Sequence, residues 1–67
     1  MALDSSNLRN VGYSTWGGTL IIEFHSGGVY EYARVPVGVY LALLRAESPG
    51  GYFAASIRPH FPCRKIN

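Results

Sequence analysis

The stretch from Thr19 to Val35 constrains this chain most, because its apolar residues alternate on both sides of a glycine turn. Leu20, Ile22 and Phe24 fall on one face of an extended segment, and Ile21, Glu23 and His25 on the other. Ser26-Gly27-Gly28 reverses the chain, and Val29 to Val35 continues as a second run rich in β-branched and aromatic residues. The register of this hairpin can be argued from its chemistry. A two-residue Ser26-Gly27 loop pairs Phe24 with Val29 and Ile22 with Glu31, which puts a carboxylate on the apolar face. A three-residue Ser26-Gly27-Gly28 loop pairs Phe24 with Tyr30 and Ile22 with Tyr32. Such loops need a residue at positive φ, which glycine supplies. A one-residue slip exchanges the faces, so the second register is expected, with Tyr30 and Tyr32 on the core side.

The flanking segments extend this unit. Ser5-Ser6-Asn7 is a polar, cap-like start, and Leu8 to Ser14 reads as a strand with Val11 and Tyr13 on one face. Trp16-Gly17-Gly18 marks the turn into the hairpin. Pro36 stops the sheet and suits the first turn of a helix, where a missing N–H costs nothing. Pro36 to Glu47 then reads as that helix, with Val39, Tyr40, Leu43, Leu44 and Ala46 facing the core. Ser48-Pro49-Gly50-Gly51 breaks it, and Ser48 can cap the next segment. Tyr52, Phe53, Ser56 and Ile57 fit a short second helix that Pro59 ends, and Phe61 to Ile66 is a tail or a last extended segment. The fold class expected is α+β: a three-stranded antiparallel meander, one main helix packed on a face, and a short second C-terminal helix.

Sixty-seven residues allow one domain. A chain this short buries only about 60% of its unfolded surface, so it gains from any further support. Cys63 is the single cysteine, so an intrachain disulfide is ruled out. A zinc site would have to draw on His25, His60 and Cys63 without any second cysteine pair, so neither a metal nor a cofactor is expected. Apolar residues make up 48% of the chain and charged ones 15%, which favours self-association. The N-terminus lacks the basic and apolar regions of a signal peptide, and the apolar runs are too short for a bilayer, so a cytoplasmic protein is expected. A net charge of +2 is too mild to imply nucleic acid by itself.

Catalytic groups are sparse, and no enzyme activity is expected. The acids are Asp4, Glu23, Glu31 and Glu47. Glu23 and Glu31 are candidate cross-strand neighbours on the exposed sheet face, an arrangement more typical of a solvated strand than of an acid–base pair. Gly-Tyr-Ser-Thr-Trp at 12–16 is not a nucleophile elbow, and the glycine pairs lack the lysine of a phosphate-binding loop. Arg64 and Lys65 can lower the pKa of Cys63, although thiols in basic tails are usually bystanders.

The C-terminal third offers more. From Ser48 onward the charged residues are Arg58, Arg64 and Lys65, with His60 available and no acid present. Tyr52, Phe53 and Phe61 interleave with them. Phosphate contacts next to stacking surfaces are how single-stranded RNA is held. The plainer reading makes Phe53, Ile57 and Phe61 core and the cations a solubilising surface. A broad RNA surface would require Arg9, Arg34, Arg58, Arg64 and Lys65 on one face.

A longer pattern joins these pieces: Ser5-Ser6-Asn7-Leu8, Val11-Gly12-Tyr13, Leu20-x-Ile22-x-Phe24, Gly28-x-Tyr30-x-Tyr32, Val35-Pro36-x-x-Val39-Tyr40, Ser48-x-Gly50-x-Tyr52-Phe53 and Ile57-Arg58. From about Ser5 to Ile66 the chain resembles the KTSC domain, a small module named for the C-terminal part of some lysyl-tRNA synthetases and also found as a stand-alone bacterial and phage protein. The resemblance implies a non-catalytic binding module with RNA as the leading partner and tRNA as one candidate. The family often has Asp after Gly-Tyr and Asn after Tyr-Phe, where this chain has Ser14 and Ala54, so its ligand can differ. Two other readings stay open. One is a protein-interaction or self-assembling domain. The other is a small-ligand binder, for a nucleotide between protomers, with Tyr32, Arg34 and Arg58 supplying stacking and anion contacts.

Overall fold

The computed structural model describes residues 7–67. The polar start at Ser5-Ser6 lies outside them. Strands β1 (Leu8–Ser14), β2 (Thr19–Phe24) and β3 (Val29–Tyr32) form an antiparallel meander. Helix α1 (Val37–Arg45) and a second helical segment come next, the latter made of α2 (Pro49–Tyr52) and a π-helical turn over Phe53–Ile57. The chain then returns as β4 (Cys63–Lys65), antiparallel to β3. The sheet therefore has four strands, not three, in the order β1-β2-β3-β4. The tail becomes a strand because β3 would otherwise leave its outer N–H and C=O groups unpaired.

The β2–β3 hairpin differs from the expected register by two residues. Ile22 pairs with Tyr30 and Leu20 with Tyr32. The three loop residues are His25-Ser26-Gly27: Phe24 N–H donates to the Gly28 carbonyl at 2.9 Å, and Gly27 N–H to the Phe24 carbonyl at 2.9 Å. Gly27 takes the positive φ, +103°, while Gly28 is already part of the paired region. The left-handed residue of a three-residue loop comes last, so the loop starts one residue earlier than the Ser-Gly-Gly string suggests. A two-residue shift preserves side-chain parity. Tyr30 and Tyr32 thus keep the face of Leu20, Ile22 and Phe24, and Tyr32, Leu20 and Ile22 are buried.

One hydrophobic core lies between this face and the helices. Leu8, Val11, Leu20, Ile22 and Tyr32 come from the sheet, Leu43 from α1, and Phe53 and Ile57 from the π turn. Val39, Tyr40 and Leu44 of α1 pack at its edge. The ring against Tyr32 is Phe53, at 5.4 Å, and Phe53 also meets Phe24 at 5.5 Å. The second helical segment therefore packs on the β3 end of the sheet. α1 is also shorter than expected, with Pro36 as its N-cap in extended conformation. Ser48 does cap α2, its Oγ accepting from Gly51 N–H at 3.2 Å.

Val35 fixes where the sheet gives way to α1. Its N–H donates to the Gly18 carbonyl at 2.8 Å, and its own carbonyl accepts from the Tyr13 hydroxyl. The Tyr13 ring stacks on Tyr40, with centroids 4.7 Å apart and planes at 10°. A Cβ on Gly18 would lie 2.9 Å from the Val35 carbonyl oxygen, so the glycine permits this approach. Arg34, one residue earlier, takes the left-handed region at φ +57° to make the corner. No helix among the described residues is long and apolar enough to cross a membrane.

Candidate functional site

An open cleft of about 390 Å³ lies at the end of the sheet where β2 turns into β3. Its floor is aromatic. Phe24, Tyr30, Tyr32 and Phe53 line it, each meeting a neighbour edge-on, with Phe24 and Tyr30 centroids 5.6 Å apart. Asn7 and Ser26 lie at one side, and Arg58 and Cys63 complete the wall. Strand alternation explains the floor, since Phe24, Tyr30 and Tyr32 share a face by parity. Phe24 and Tyr30 keep part of their surface open, while Tyr32 and Phe53 are buried beneath.

Arg58 reaches this wall through the π turn. Its N–H donates to the Phe53 carbonyl at 2.9 Å, five residues back. In an α-helix, residues five apart diverge by roughly 140° around the axis. The wider turn sets Arg58 one turn beyond Phe53, so the guanidinium and the deepest ring share one cavity. Among the described residues Arg58 forms no ion pair with Glu47.

Cys63 stands directly across from Tyr32 in the β3–β4 pairing, and its thiol is exposed in the cleft. The Tyr32 hydroxyl is pushed up to about 12, first by burial and next by the adjacent thiol, with Tyr30 adding to the rise and Arg58 opposing it. Tyr32 is therefore a neutral hydrogen-bonding group across the physiological range. The lining has one cation and, among the described residues, no carboxylate. No three metal-binding side chains gather among those residues.

The fold disperses the other residues singled out by sequence. Lys65 pairs with Tyr30 and so shares the cleft face, whereas Arg64 pairs with Glu31 and points to the opposite face. There Arg64 Nη2 donates to Glu31 Oε1 at 2.8 Å. The cations of the C-terminal third are consequently not unopposed: an acid 33 residues earlier in sequence reaches one of them through the sheet. Arg34 sits at the far end of the sheet, beside the Gly18 turn. Tyr52 packs against the core, and the Ser56 carbonyl lies 3.3 Å from His60 Nδ1. The five arginine and lysine positions required for a broad RNA surface do not share a face. Glu23 and Glu31 lie on one sheet face but are not paired: Glu23 opposes Val29 and accepts from Asn10 Nδ2 at 2.7 Å. Of the cleft residues, sequence reasoning reads Phe53 as a stacking surface or as core and Cys63 as a bystander, and takes Phe24 only as a core residue. The shared parity of Phe24 with the two tyrosines was the available signal; nothing in the sequence marks the π turn.

The KTSC domain profile matches residues 4–61 of the chain. The chain belongs to the KTSC domain family. A crystal structure of a KTSC domain protein from Yersinia pestis superposes with a TM-score of 0.96 at 33% identity, covering 100% of this chain and 94% of that one. An uncharacterised protein of Stutzerimonas stutzeri is 44% identical over 59 residues, 88% of this chain and 83% of its own. A lysine–tRNA ligase of Trichormus variabilis is 36% identical over 64 residues, which is 96% of this chain but 11% of the ligase. The KTSC module is thus similar both to small proteins of its own size and to a minor part of a large enzyme.

Proposed function

We propose that this KTSC domain is a non-catalytic binding module whose cleft receives one nucleotide unit. The base lies against the open surfaces of Phe24 and Tyr30, and the phosphate sits at Arg58. The observation that carries this reading is the composition of the cleft: an aromatic floor with one guanidinium at its wall and no carboxylate among the described lining residues. Aromatic faces take any base by stacking, and a guanidinium grips a phosphate through two parallel hydrogen bonds. Relatives named lysine–tRNA ligase direct attention to RNA as the source of the nucleotide. A free nucleotide has the same chemistry, and here the cavity is built within one chain rather than between protomers. We place the protein in the cytoplasm, consistent with an exposed thiol that has no cysteine to pair with.

Titration with AMP, single-stranded RNA and tRNA at low salt, wild type beside Arg58→Ala, tests this. Binding should weaken in the variant by about tenfold or more, the scale of a lost charge-assisted contact. If wild type binds none of the three, the cleft reading is wrong.

A second reading, self-association, is favoured by large apolar side chains left exposed outside the cleft. Trp16 is 91% exposed, and Val37, Leu41 and Ile66 also face solvent. Sedimentation tests it directly: a 7.3 kDa species at high concentration would rule it out.

A further inference from the structure

The charge of the cleft says how much of a nucleotide polymer it can neutralise. One guanidinium lines it, and among the described residues no carboxylate stands ready for a divalent ion. A nucleoside triphosphate brings several negative charges and ordinarily needs several cations or a metal to offset them. A phosphodiester brings one. The balance at Arg58 therefore fits a nucleotide within a strand better than a free triphosphate.

The next cation on the same surface is Lys65. Cys63 and Lys65 are two residues apart on β4 and share the cleft face, across from Tyr32 and Tyr30 respectively. Two residues of extended chain span roughly 6.6 Å. β4 is an edge strand with all three residues exposed, and Lys65 pairs with Tyr30, which itself lines the cleft. Arg64, between them in sequence, is turned to the other face and held by Glu31. Alternation along one short strand thus selects which of two adjacent cations can follow a ligand out of the cleft.

We infer that the bound nucleotide belongs to a single nucleic-acid strand that leaves the cleft over β4 and sets its next phosphate at Lys65. This rests on the nucleotide reading of the cleft and adds a direction and a second contact to it.

The test compares AMP with a tri-adenylate RNA at low ionic strength, using isothermal titration, for wild type, Arg58→Ala, Lys65→Ala and Arg64→Ala. Circular dichroism checks that each variant is folded. Wild type should bind the trinucleotide about tenfold more tightly than AMP, as one added charge-assisted contact would give. Lys65→Ala should lose most of that gain while binding AMP as wild type does. Its log–log salt slope for the trinucleotide should be shallower by about 0.7, one phosphate contact fewer. Arg58→Ala should weaken both ligands, and Arg64→Ala neither. AMP binding without any gain on lengthening would overturn this inference and leave the cleft reading standing. A gain that survives in Lys65→Ala, or that Arg64→Ala removes equally, would also overturn it, because attraction would then be diffuse. Absence of binding to either ligand would defeat the cleft reading and this inference together.

Discussion

The Tyr13 hydroxyl donates to the main-chain carbonyl of Val35, 22 residues further along, and so ties the end of β1 to the residue that starts the turn into α1. The Val35 N–H is held from the neighbouring turn by Gly18, so both polar groups of a buried residue are satisfied by the first hairpin. Removing the hydroxyl leaves a carbonyl without its partner. Tyr13→Phe should lower stability by about 1–3 kcal/mol while keeping the ring stack on Tyr40. Urea denaturation followed by circular dichroism gives the value, and no change in midpoint would show that water replaces the bond.

Two glycines should respond in opposite directions. Gly18→Ala forces a Cβ to within 2.9 Å of the Val35 carbonyl at φ +70°, and should cost about 2–3 kcal/mol. Gly38 lies in the first turn of α1 with open space around its would-be Cβ. Gly38→Ala should raise stability by up to about 1 kcal/mol. Thermal melts of the two variants beside wild type provide the check.

Stability should fall in strong alkali through Tyr32. The folded protein holds this hydroxyl at about 12, against 10.0 for the unperturbed group. Below pH 10 both states carry the proton and stability is unaffected. Between pH 10 and about 12 the unfolded chain loses the proton first, and the fold is destabilised by at most about 1.4 kcal/mol per pH unit. Tyr32→Phe should remove that part of the slope. Denaturant midpoints measured from pH 9 to 12 on both proteins would reveal it, and parallel curves would disprove the assignment.

Phe53 and Arg64 mark the extremes of the C-terminal third. Phe53 is 2% exposed and meets two rings of the sheet, so Phe53→Ala should cost about 3–5 kcal/mol, enough to unfold a domain of this size. The Arg64–Glu31 pair is exposed, and Arg64→Ala should cost well under 1 kcal/mol. Urea titration separates these outcomes.

Much of the fold was legible because it depends on parity. The faces of β1, β2 and β3 come from alternation, and a two-residue error in the hairpin leaves every face intact. Pro36 and Ser48 mark their helix starts for reasons local to each residue. The fourth strand was harder to read, since Cys-Arg-Lys has no apolar alternation and is a strand only because β3 offers an open edge. The candidate site suffered from this omission. Without β4, Arg64 and Lys65 look like one basic patch; with it they part to opposite sides. Tyr32 and Arg58 were legible as candidate site residues by type, and both line the cleft. Their meeting depends on a π turn, a backbone choice that side chains at 53–57 do not announce.

β4 also gives the module an order of assembly. The first three strands are joined by short turns, so their pairings are local in sequence. The last strand must wait for both helices, because its partners on β3 lie about thirty residues back, with Glu31 and Arg64 separated by 33. Three exposed residues and the main-chain bonds of Ile66 and Asn67 to Val29 hold it there. It is therefore the segment expected to zip last and fray first, taking the Cys63 wall of the cleft with it. A ligand seated against that wall would slow amide exchange at residues 63–67.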